Sequence, residues 1–286
     1  MKGHEIMKVV ITGSAGRQGP YAVKEFVAHG YDVLSTDIVK PLETLAPHVT
    51  ADLSNLGEVY GLLQGADAVI HLAAIPVPYT YPNEVVFKNN VMATYNILEA
   101  AAGLGIKKVV IASSECSYGI ASSRSGIEPI YLPLDEAHPQ LPEDAYGTGK
   151  VVGEVLADSF HRRTGMQVVS LRLGNIINEE KYHEFPHFIH DSAKRKFLIW
   201  NYIDARDAAT ACRLAIEKDG LGSVKLNIAA DDTSMDIPSI DLIKAEFPNV
   251  EIRGEIKGFQ TLFNNKKAKE VLGWQPVHTW RNYVTF

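Results

Sequence analysis

The first 175 residues alternate between short runs of β-branched residues and longer amphipathic stretches. A strand that is followed by a helix and a second parallel strand returns through a right-handed crossover, and repetition of this unit places helices on both faces of a sheet. The alternation therefore predicts an α/β fold with a doubly wound parallel sheet. The predicted strands are Lys8–Thr12, Asp32–Thr36, His48–Ala51, Ala68–Leu72, Lys108–Ala112 and Val168–Leu173, and the long predicted helices are Glu84–Ala102 and Tyr146–Thr164.

The alternation stops after Asn175. Residues 176–196 are polar and rich in histidine, and no period is evident in them. Strand-like Phe197–Ile203 and Val224–Ala229 flank the helix-like Ala205–Glu217, and the remaining chain is rich in proline and glycine. We therefore expect residues 1–175 to form a core domain to which residues 197–230 return, and residues 176–196 and 231–286 to form a small lobe over one end of the sheet.

Charge and cysteine content narrow the class of protein. The formal net charge is −6 with acidic and basic residues interspersed, so neither nucleic acid nor a membrane is an expected partner. The two cysteines, Cys116 and Cys212, are far apart and lack metal-ligand spacing, which favours a reducing compartment and predicts no metal site. Because only Met1–Met7 precede the first apolar run, no signal peptide is expected, and we predict a soluble cytoplasmic protein.

A glycine-rich turn, TGSAGRQG at residues 12–19, lies between the first strand and the next helix. A dinucleotide requires glycines there because the turn is tight, the backbone approaches the pyrophosphate and the helix packs closely on the strand. The helix N-terminus then donates hydrogen bonds to the diphosphate. Asp37 follows about 20 residues later, where a carboxylate accepts hydrogen bonds from the adenosine ribose and repels a 2′-phosphate. The pattern predicts NAD rather than NADP, with Arg17 as the one residue that favours the phosphate.

A second motif, YGTGK at residues 146–150, places Tyr146 and Lys150 four positions apart, on one face of a helix. An unperturbed tyrosine, with a pKa of about 10, is a poor base at neutral pH. A nearby ammonium group and the positive nicotinamide ring would lower that pKa. The spacing alone also occurs in ordinary exposed helices, so its interpretation depends on the rest of the chain.

Further motifs occur in a fixed order and spacing along the chain. They are HLAA (71–74), NNVMATYNILEAA (89–101), SSECSYG (113–119), LRLGN (171–175), YIDARDAA (202–209) and KAKEVLGWQP (267–276). With the two motifs above, they make the chain resemble the extended short-chain dehydrogenase/reductases, also called NAD-dependent epimerase/dehydratases, over nearly its whole length. The resemblance implies a Rossmann sheet with a small C-terminal substrate lobe, NAD as cofactor, a carbohydrate substrate and a homodimer formed through the two long helices.

The resemblance also assigns roles to individual residues. Ser114 would hydrogen-bond the reacting sugar oxygen, Tyr146 would be the acid/base, and Lys150 would hold the nicotinamide ribose. His71, at the end of a buried strand, is interpreted as a hydrogen-bonded core histidine rather than a ligand. The implied cofactor contacts are Gly13, Gly16, Arg17, Gln18, Gly19, Asp37, Ile38, Asp52, Leu53, Leu72, Ala73, Ala74, Asn90, Tyr146 and Lys150.

Two features depart from the nucleotide-sugar enzymes of this family. Its dehydratases place an Asp-Glu pair after the reactive hydroxyl residue, where this chain has Glu115 and Cys116, so dehydration is not expected. The span from Arg172 to Asp204 is only 32 positions, whereas family members that hold a nucleoside diphosphate use about twice that length. The short span resembles the uronate dehydrogenase branch, whose substrates are free sugars.

The residues and the resemblance together predict an enzyme that transfers a hydride between a sugar or sugar-acid hydroxyl carbon and NAD. Candidate substrate contacts are Glu115, Cys116, His187 and Arg195. The basic segment that contains His187 and Arg195 would suit an anionic sugar, or it would form a solvated loop.

Two other functions stay open from the sequence. The first is an NAD-dependent nucleotide-sugar epimerase, in which Cys116 is an additional acid/base and His187 is its partner. The competing interpretation of Cys116, which we favour, is a small packing residue beneath the site. The second is a non-catalytic NAD sensor, and the presence of Ser114, Tyr146 and Lys150 together argues against it.

Overall fold

The computed structural model describes residues 6–79 and 81–284. Residues 1–5 and 285–286, which were assigned to the ends of the predicted domains, lie outside the described residues. Its main sheet has seven strands: β1 (Lys8–Thr12), β2 (Asp32–Asp37), β3 (His48–Thr50), β4 (Ala68–His71), β5 (Lys108–Ser114), β6 (Gln167–Leu173) and β7 (Ser223–Ile228). Their order across the sheet is β7-β6-β5-β4-β1-β2-β3. All six neighbouring pairs are parallel. The predicted doubly wound parallel sheet is confirmed.

Helices cover both faces of this sheet, which explains why all seven residues of β6 are buried. One face packs against α1, α5 and α7, and the other packs against α2, α3 and α4. None of the helices in the described part of the chain is long and apolar enough to cross a membrane. The helices are α1 (Gly19–Ala28), α2 (Leu56–Leu63), α3 (Asn83–Gly103), α4 (Ala145–Thr164), α5 (Ala205–Glu217), α6 (Ser239–Glu246) and α7 (Lys266–Leu272).

The strand order reverses at β1, because β2 and β3 lie on one side of it and β4 lies on the other. Ligands of doubly wound sheets bind beyond the carboxyl ends of the strands at such a reversal. The glycine-rich turn follows β1 directly, and Leu72–Ala74 follow β4. The fold therefore brings two of the predicted cofactor-binding segments to the same crevice.

A further apolar cluster, separate from those on the two sheet faces, forms a small lobe. Tyr118, Trp200, Leu242 and Phe263 belong to it, and Tyr131–Leu132 pair there with Glu251–Ile252. The predicted boundary does not follow this packing. The segment 231–286 is divided, because α6 lies in the lobe whereas α7 and Trp274 pack in the main core.

The prediction of a strand over Phe197–Ile203 is wrong. Lys196–Leu198 form a short 3-10 helix, Ile199 and Trp200 have positive φ angles of 51° and 52°, and only Ile203–Asp204 are extended. Short apolar runs do not distinguish a strand from other buried structure. Leu198, Ile199 and Trp200 are all buried, whereas successive residues of a half-buried strand would alternate between the core and solvent.

Candidate active site

A cleft of about 880 Å³ extends from the glycine-rich turn to the start of α4. Most of the residues that were predicted to contact cofactor or substrate lie along it. Asn90, His187 and Arg195 are not part of its lining. The predicted residues that line it are Gly13, Gly16, Arg17, Gln18, Gly19, Asp37, Ile38, Asp52, Leu53, Leu72, Ala73, Ala74, Ser114, Glu115, Cys116, Tyr146 and Lys150.

Two glycines allow the turn after β1 to take its shape. Gly13 has a φ of +73°, and a Cβ there would lie 2.6 Å from the backbone nitrogen of Ala73. A Cβ on Gly19 would lie 2.2 Å from the carbonyl oxygen of Gly13. Since such distances are shorter than any real contact, both positions exclude a side chain. The turn can pack against β4 and α1 only because these residues are glycines.

The N-terminus of α1 is open toward the cleft. Its N-cap residue, Gln18, makes no capping hydrogen bond, and the first turn contains no acidic residue. The Gln18 side chain instead donates to the carbonyl of Ala205 at 2.9 Å. A helix N-terminus of this kind presents backbone N–H groups and a positive dipole end to an anion. The arrangement suits a diphosphate.

Asp37 connects the end of β2 to the glycine-rich turn. Its carboxylate accepts hydrogen bonds from the backbone N–H of Ala15 at 2.9 Å and of Ile38 at 2.7 Å. A carboxylate oxygen accepts more than one hydrogen bond, so Asp37 can bind a ribose hydroxyl while it holds the turn. The sequence did not predict this second, structural task.

Asn90 lies behind the cleft, on α3. Its side-chain oxygen accepts from the backbone N–H of Ile75 at 2.8 Å, and its amide donates to the carbonyl of Ile75 at 3.1 Å. This paired contact fixes the segment that follows β4, which includes Ala73 and Ala74. Asn90 therefore positions cleft-lining backbone from behind.

His71 is a buried core residue, as the sequence predicted. Its Nδ1 is 2.9 Å from the hydroxyl of Thr12, and its Nε2 is 3.2 Å from the hydroxyl of Thr94. Burial and, second, the positive charge of Lys150 lower the pKa of His71 to about 3. The ring is neutral at physiological pH, and both of its nitrogens are hydrogen-bonded.

Ser114, Tyr146 and Lys150 lie together at one end of the cleft. Ser114 ends β5 and accepts a hydrogen bond from the backbone N–H of Cys116 at 3.1 Å, and its hydroxyl acts to lower the pKa of Tyr146. The Lys150 ammonium donates to the carbonyl of Ala112 at 2.6 Å and lies 5.3 Å from the centre of the Tyr146 ring. The two helix residues share one face of α4, as their spacing predicted.

The close approach of α4 to the 3-10 turn Glu115–Tyr118, which follows β5, depends on a glycine. A Cβ on Gly147 would lie 2.6 Å from the carbonyl oxygen of Cys116, so any larger residue would push the helix away. Asp144 caps the helix and accepts from the backbone N–H of Gly147 at 2.8 Å. The two residues set the position of Tyr146 against Ser114.

The electrostatics of Tyr146 differ from the expectation. Burial raises its pKa, and the neighbouring Cys116 raises it further, whereas the hydrogen bond with Ser114 lowers it. Burial also lowers the pKa of Lys150 to about 8. The pKa of Tyr146 is thus raised rather than lowered in the protein without cofactor, because desolvation is the largest effect and the charges of Glu115 and Asp144 act in the same direction.

Glu115 and Arg195 are both hydrogen-bonded to the buried residue Asn201. The Glu115 carboxylate accepts a hydrogen bond from the side-chain amide of Asn201, and the backbone carbonyl of Asn201 accepts from Arg195 Nη2 at 3.0 Å. Arg195 also donates to Asn175 Oδ1 at 3.0 Å and to Ser234 Oγ at 2.9 Å. Burial raises the pKa of Glu115 to about 7 and lowers that of Arg195 to about 10.

Cys116 and His187 are not brought together. Cys116 lines the cleft, and burial raises the pKa of its thiol to about 12. His187 is exposed at the end of the 3-10 helix Glu179–His187. Of the other basic residues in this segment, Lys181 pairs with Glu184 at 2.7 Å and Lys196 pairs with Glu246 at 3.4 Å.

Several cleft-lining residues were missed by the sequence reasoning. Asn175 was missed although it ends the LRLGN motif just after β6. A polar residue directly after the carboxyl end of a parallel strand is at a usual ligand-binding position, so its place in the sequence was a usable signal. Leu198 had no such signal, since it belongs to the segment that was wrongly predicted as a strand. The missed lining residues are Ala15, Val39, Ala51, Ser54, Ile75, Pro76, Val77, Tyr81, Asn89, Ala93, Ala112, Ser113, Ala121, Ser122, Leu173, Gly174, Asn175, Ile176 and Leu198.

Comparison with known proteins gives consistent results. A family model described as the NAD dependent epimerase/dehydratase family matches residues 9–229. The chain is 29% identical over 173 residues to a uronate dehydrogenase of Pseudomonas putida, an alignment that covers 59% of this chain and 60% of that enzyme. It is 24% identical over 311 aligned positions to a UDP-glucose 4-epimerase of Corynebacterium glutamicum, covering 96% of this chain and 92% of that enzyme.

A solved structure shares the fold. It is a short-chain dehydrogenase/reductase superfamily protein of Agrobacterium tumefaciens with bound NAD, which superposes with a TM-score of 0.75 at 22% identity. The match covers 96% of this chain and 94% of that chain.

Proposed function

Because the chain belongs to the NAD dependent epimerase/dehydratase family, we propose that it is a dehydrogenase that oxidises a free sugar at a hydroxyl-bearing carbon with NAD⁺. The observation that carries the proposal is the single cleft that joins the glycine-rich turn and Asp37 at one end to Ser114, Tyr146 and Lys150 at the other. A dinucleotide that lies along this cleft brings its nicotinamide end to the reactive hydroxyl groups.

The residues along the cleft fit NAD. The open N-terminus of α1 would hold the diphosphate, and Asp37 would hold the adenosine ribose. Asp52 and Leu53, which line the same end of the cleft, would contact the adenine. Lys150, at the other end, would hold the nicotinamide ribose. When bound, oxidised NAD supplies the acceptor for the hydrogen and two electrons that leave the sugar carbon.

The protein groups handle the proton and the substrate hydroxyl. Ser114 donates a hydrogen bond to the reacting oxygen and keeps it against Tyr146. The phenolate of Tyr146 takes the hydroxyl proton as the carbon–oxygen bond becomes a carbonyl, and it later returns that proton to solvent. Since burial raises the pKa of Tyr146, the phenolate depends on positive charge beside it, which Lys150 contributes. Oxidation at the anomeric carbon gives a lactone, and at another carbon a ketone.

The direct test is NADH formation with a panel of aldoses, uronates and sugar phosphates. We expect steady NADH production with at least one free sugar and none with nucleotide sugars, because the short Arg172–Asp204 segment provides little structure to grip a nucleoside diphosphate. Steady conversion of a nucleotide sugar to an isomer, without net NADH, would favour an epimerase instead.

Cofactor choice gives a first prediction. NAD should bind at least about tenfold more tightly than NADP, which is about 1.4 kcal/mol, because the Asp37 carboxylate repels a 2′-phosphate. Asp37→Asn removes the charge but keeps a hydrogen-bond acceptor, so it should reduce the difference between the affinities for NAD and NADP. Titration of the protein with both cofactors measures it.

Asp52→Asn is the matched control for this prediction. Asp52 also lines the cleft, but in the proposed arrangement it contacts the adenine and does not face the ribose 2′ position. We expect this variant to keep the preference of the wild type. Equal affinities of the wild type for both cofactors would remove the role that is proposed for Asp37.

A second candidate function is suggested by Cys116, whose thiol lines the cleft. An epimerase could use it to remove a carbon-bound proton. Two observations oppose this. The raised pKa of about 12 leaves almost no thiolate at neutral pH, and among the described residues no contact joins His187 to Cys116. We therefore propose that Cys116 is a packing residue.

This assignment gives a second prediction. When substrate and wild-type enzyme are incubated in heavy water, no deuterium should appear at a substrate carbon, and Cys116→Ser should keep most of the activity. Mass spectrometry of the recovered sugar detects the label. Cys212→Ser, at the other, fully buried cysteine, controls for loss of fold. Label that appears with the wild type and disappears with Cys116→Ser would establish the epimerase.

A further inference from the structure

The substrate end of the cleft contains a buried carboxylate directly after the reactive serine. Glu115 is only 8% exposed and lies among the residues that line the cleft. Its negative charge raises the pKa of both Cys116 and Tyr146. The charge of Glu115 therefore acts on groups at the position where the sugar would react.

The guanidinium of the nearby cation, Arg195, is occupied by hydrogen bonds within the protein. Arg195 is absent from the lining, and its guanidinium donates to three neutral oxygens, on Asn175, Asn201 and Ser234. Its positive charge lowers the pKa of Glu115, and the negative charge of Glu115 raises the pKa of Arg195. Each group therefore stabilises the charged form of the other, and Asn201 connects them by hydrogen bonds.

A sugar acid would be placed unfavourably in this arrangement. Its carboxylate would approach Glu115 before it could reach Arg195, and Arg195 would have to give up protein hydrogen bonds to bind it. Like charges that meet in a partly desolvated site repel each other strongly, which weakens binding. A neutral sugar instead presents hydroxyl groups, which can donate hydrogen bonds to a carboxylate.

We propose that Glu115 determines specificity, selecting an uncharged aldose and rejecting a uronate. This inference rests on the proposed sugar dehydrogenase activity and names the substrate class of that site. It gives Arg195 the task of stabilising the Glu115 charge from behind, which differs from the direct substrate contact expected from the sequence.

The test compares sugars that differ only at C6. D-galactose is paired with D-galacturonate, and D-glucose with D-glucuronate, and kcat/KM for NADH formation is measured for each. The wild type should favour the aldose of the better pair by at least about tenfold at about pH 8, where Glu115 is mostly ionised. Glu115→Gln should lower that preference by at least about tenfold, because the amide carries no charge.

Matched variants isolate the charge. Glu115→Asp keeps the carboxylate and should keep the preference for the aldose. Glu136→Gln removes another partly buried carboxylate, one that accepts from the backbone N–H of Asn227 at 2.8 Å and lies outside the cleft lining. It should leave the aldose-to-uronate ratio unchanged.

The wild type also provides a test that requires no variant. Since the pKa of Glu115 is raised to about 7, the carboxylate is charged above pH 7 and neutral below it. The aldose-to-uronate ratio should therefore fall as the pH decreases through 7. The groups coupled to Glu115 are Arg195, Cys116 and Tyr146. Proton transfer at Tyr146 serves both sugars alike, so its effect cancels in the ratio.

The outcomes separate the two levels of the proposal. A wild type that prefers the uronate across this pH range overturns the specificity role and leaves the dehydrogenase assignment intact. A folded, NAD-binding wild type that forms no NADH with any sugar overturns both. If Glu115→Gln does not fold, the pH dependence of the wild-type ratio decides, and a ratio that is flat with pH contradicts the role of Glu115.

Discussion

Tyr146→Phe should lower kcat by about 10²–10⁴-fold, the usual cost of losing an acid/base group, while NAD binding stays close to that of the wild type. The variant removes only the phenolic oxygen, so the ring keeps its place beside Ser114 and Lys150. With no group left to take the hydroxyl proton, the carbonyl cannot form at an appreciable rate. Steady-state kinetics and NAD titration of the same preparation measure the two effects.

A second tyrosine in the cleft provides the control. Tyr81 also lines it but is 55% exposed, and Tyr81→Phe should change kcat little. Because the phenolate is the active form, the wild-type kcat should increase as the pH is raised from acidic values. This increase should be absent from the pH–rate profile of Tyr146→Phe. A Tyr146→Phe enzyme with near-normal turnover would exclude the residue from the mechanism.

Lys150→Met should reduce both turnover and cofactor affinity. One ammonium serves two purposes in the proposed mechanism: it provides positive charge near the Tyr146 phenolate and it binds the nicotinamide ribose. Turnover should fall by about 10²-fold or more, and NAD should bind several-fold more weakly. Methionine matches the length of the aliphatic chain but loses the hydrogen bond to Ala112, which the lysine makes at 2.6 Å.

The pH dependence of this residue follows from its burial. Because burial lowers the pKa of Lys150 to about 8, the ammonium is lost as the pH rises through that value, and wild-type activity should decline above it. Lys88→Met, on the exposed surface of α3, is the control for a lost positive charge. Normal NAD affinity together with normal turnover in Lys150→Met would contradict both assigned tasks.

The residues proposed to bind the cofactor and to transfer the proton could be predicted because their determinants are local. The glycine-rich turn, Asp37 and the pair Tyr146–Lys150 each lie within a few residues of a strand end or on one helix face. Parallel strands then bring their carboxyl ends together without further information. Local spacing and the topology of the sheet were therefore sufficient to place these residues along one cleft.

The substrate end could not be predicted in the same way. Asn201 follows Glu115 by 86 positions, and the contact exists because Ile199 and Trp200 pack into the lobe rather than forming a strand. The sequence suggested that Arg195 contacts substrate, yet the structure turns its guanidinium toward protein oxygens. Desolvation at Tyr146 was missed for the same reason, because it depends on how distant segments cover the site.

The central claim is that hydrogen moves directly from a sugar carbon to NAD within this cleft. The most direct measurement uses an active sugar that is deuterated at the carbon it loses hydrogen from, in one turnover with NAD⁺ in ordinary water. We predict one deuterium on the nicotinamide ring of the NADH formed, and the corresponding lactone or ketone as the product. Recovery of an isomerised sugar that retains its deuterium, with no labelled NADH, would contradict the account.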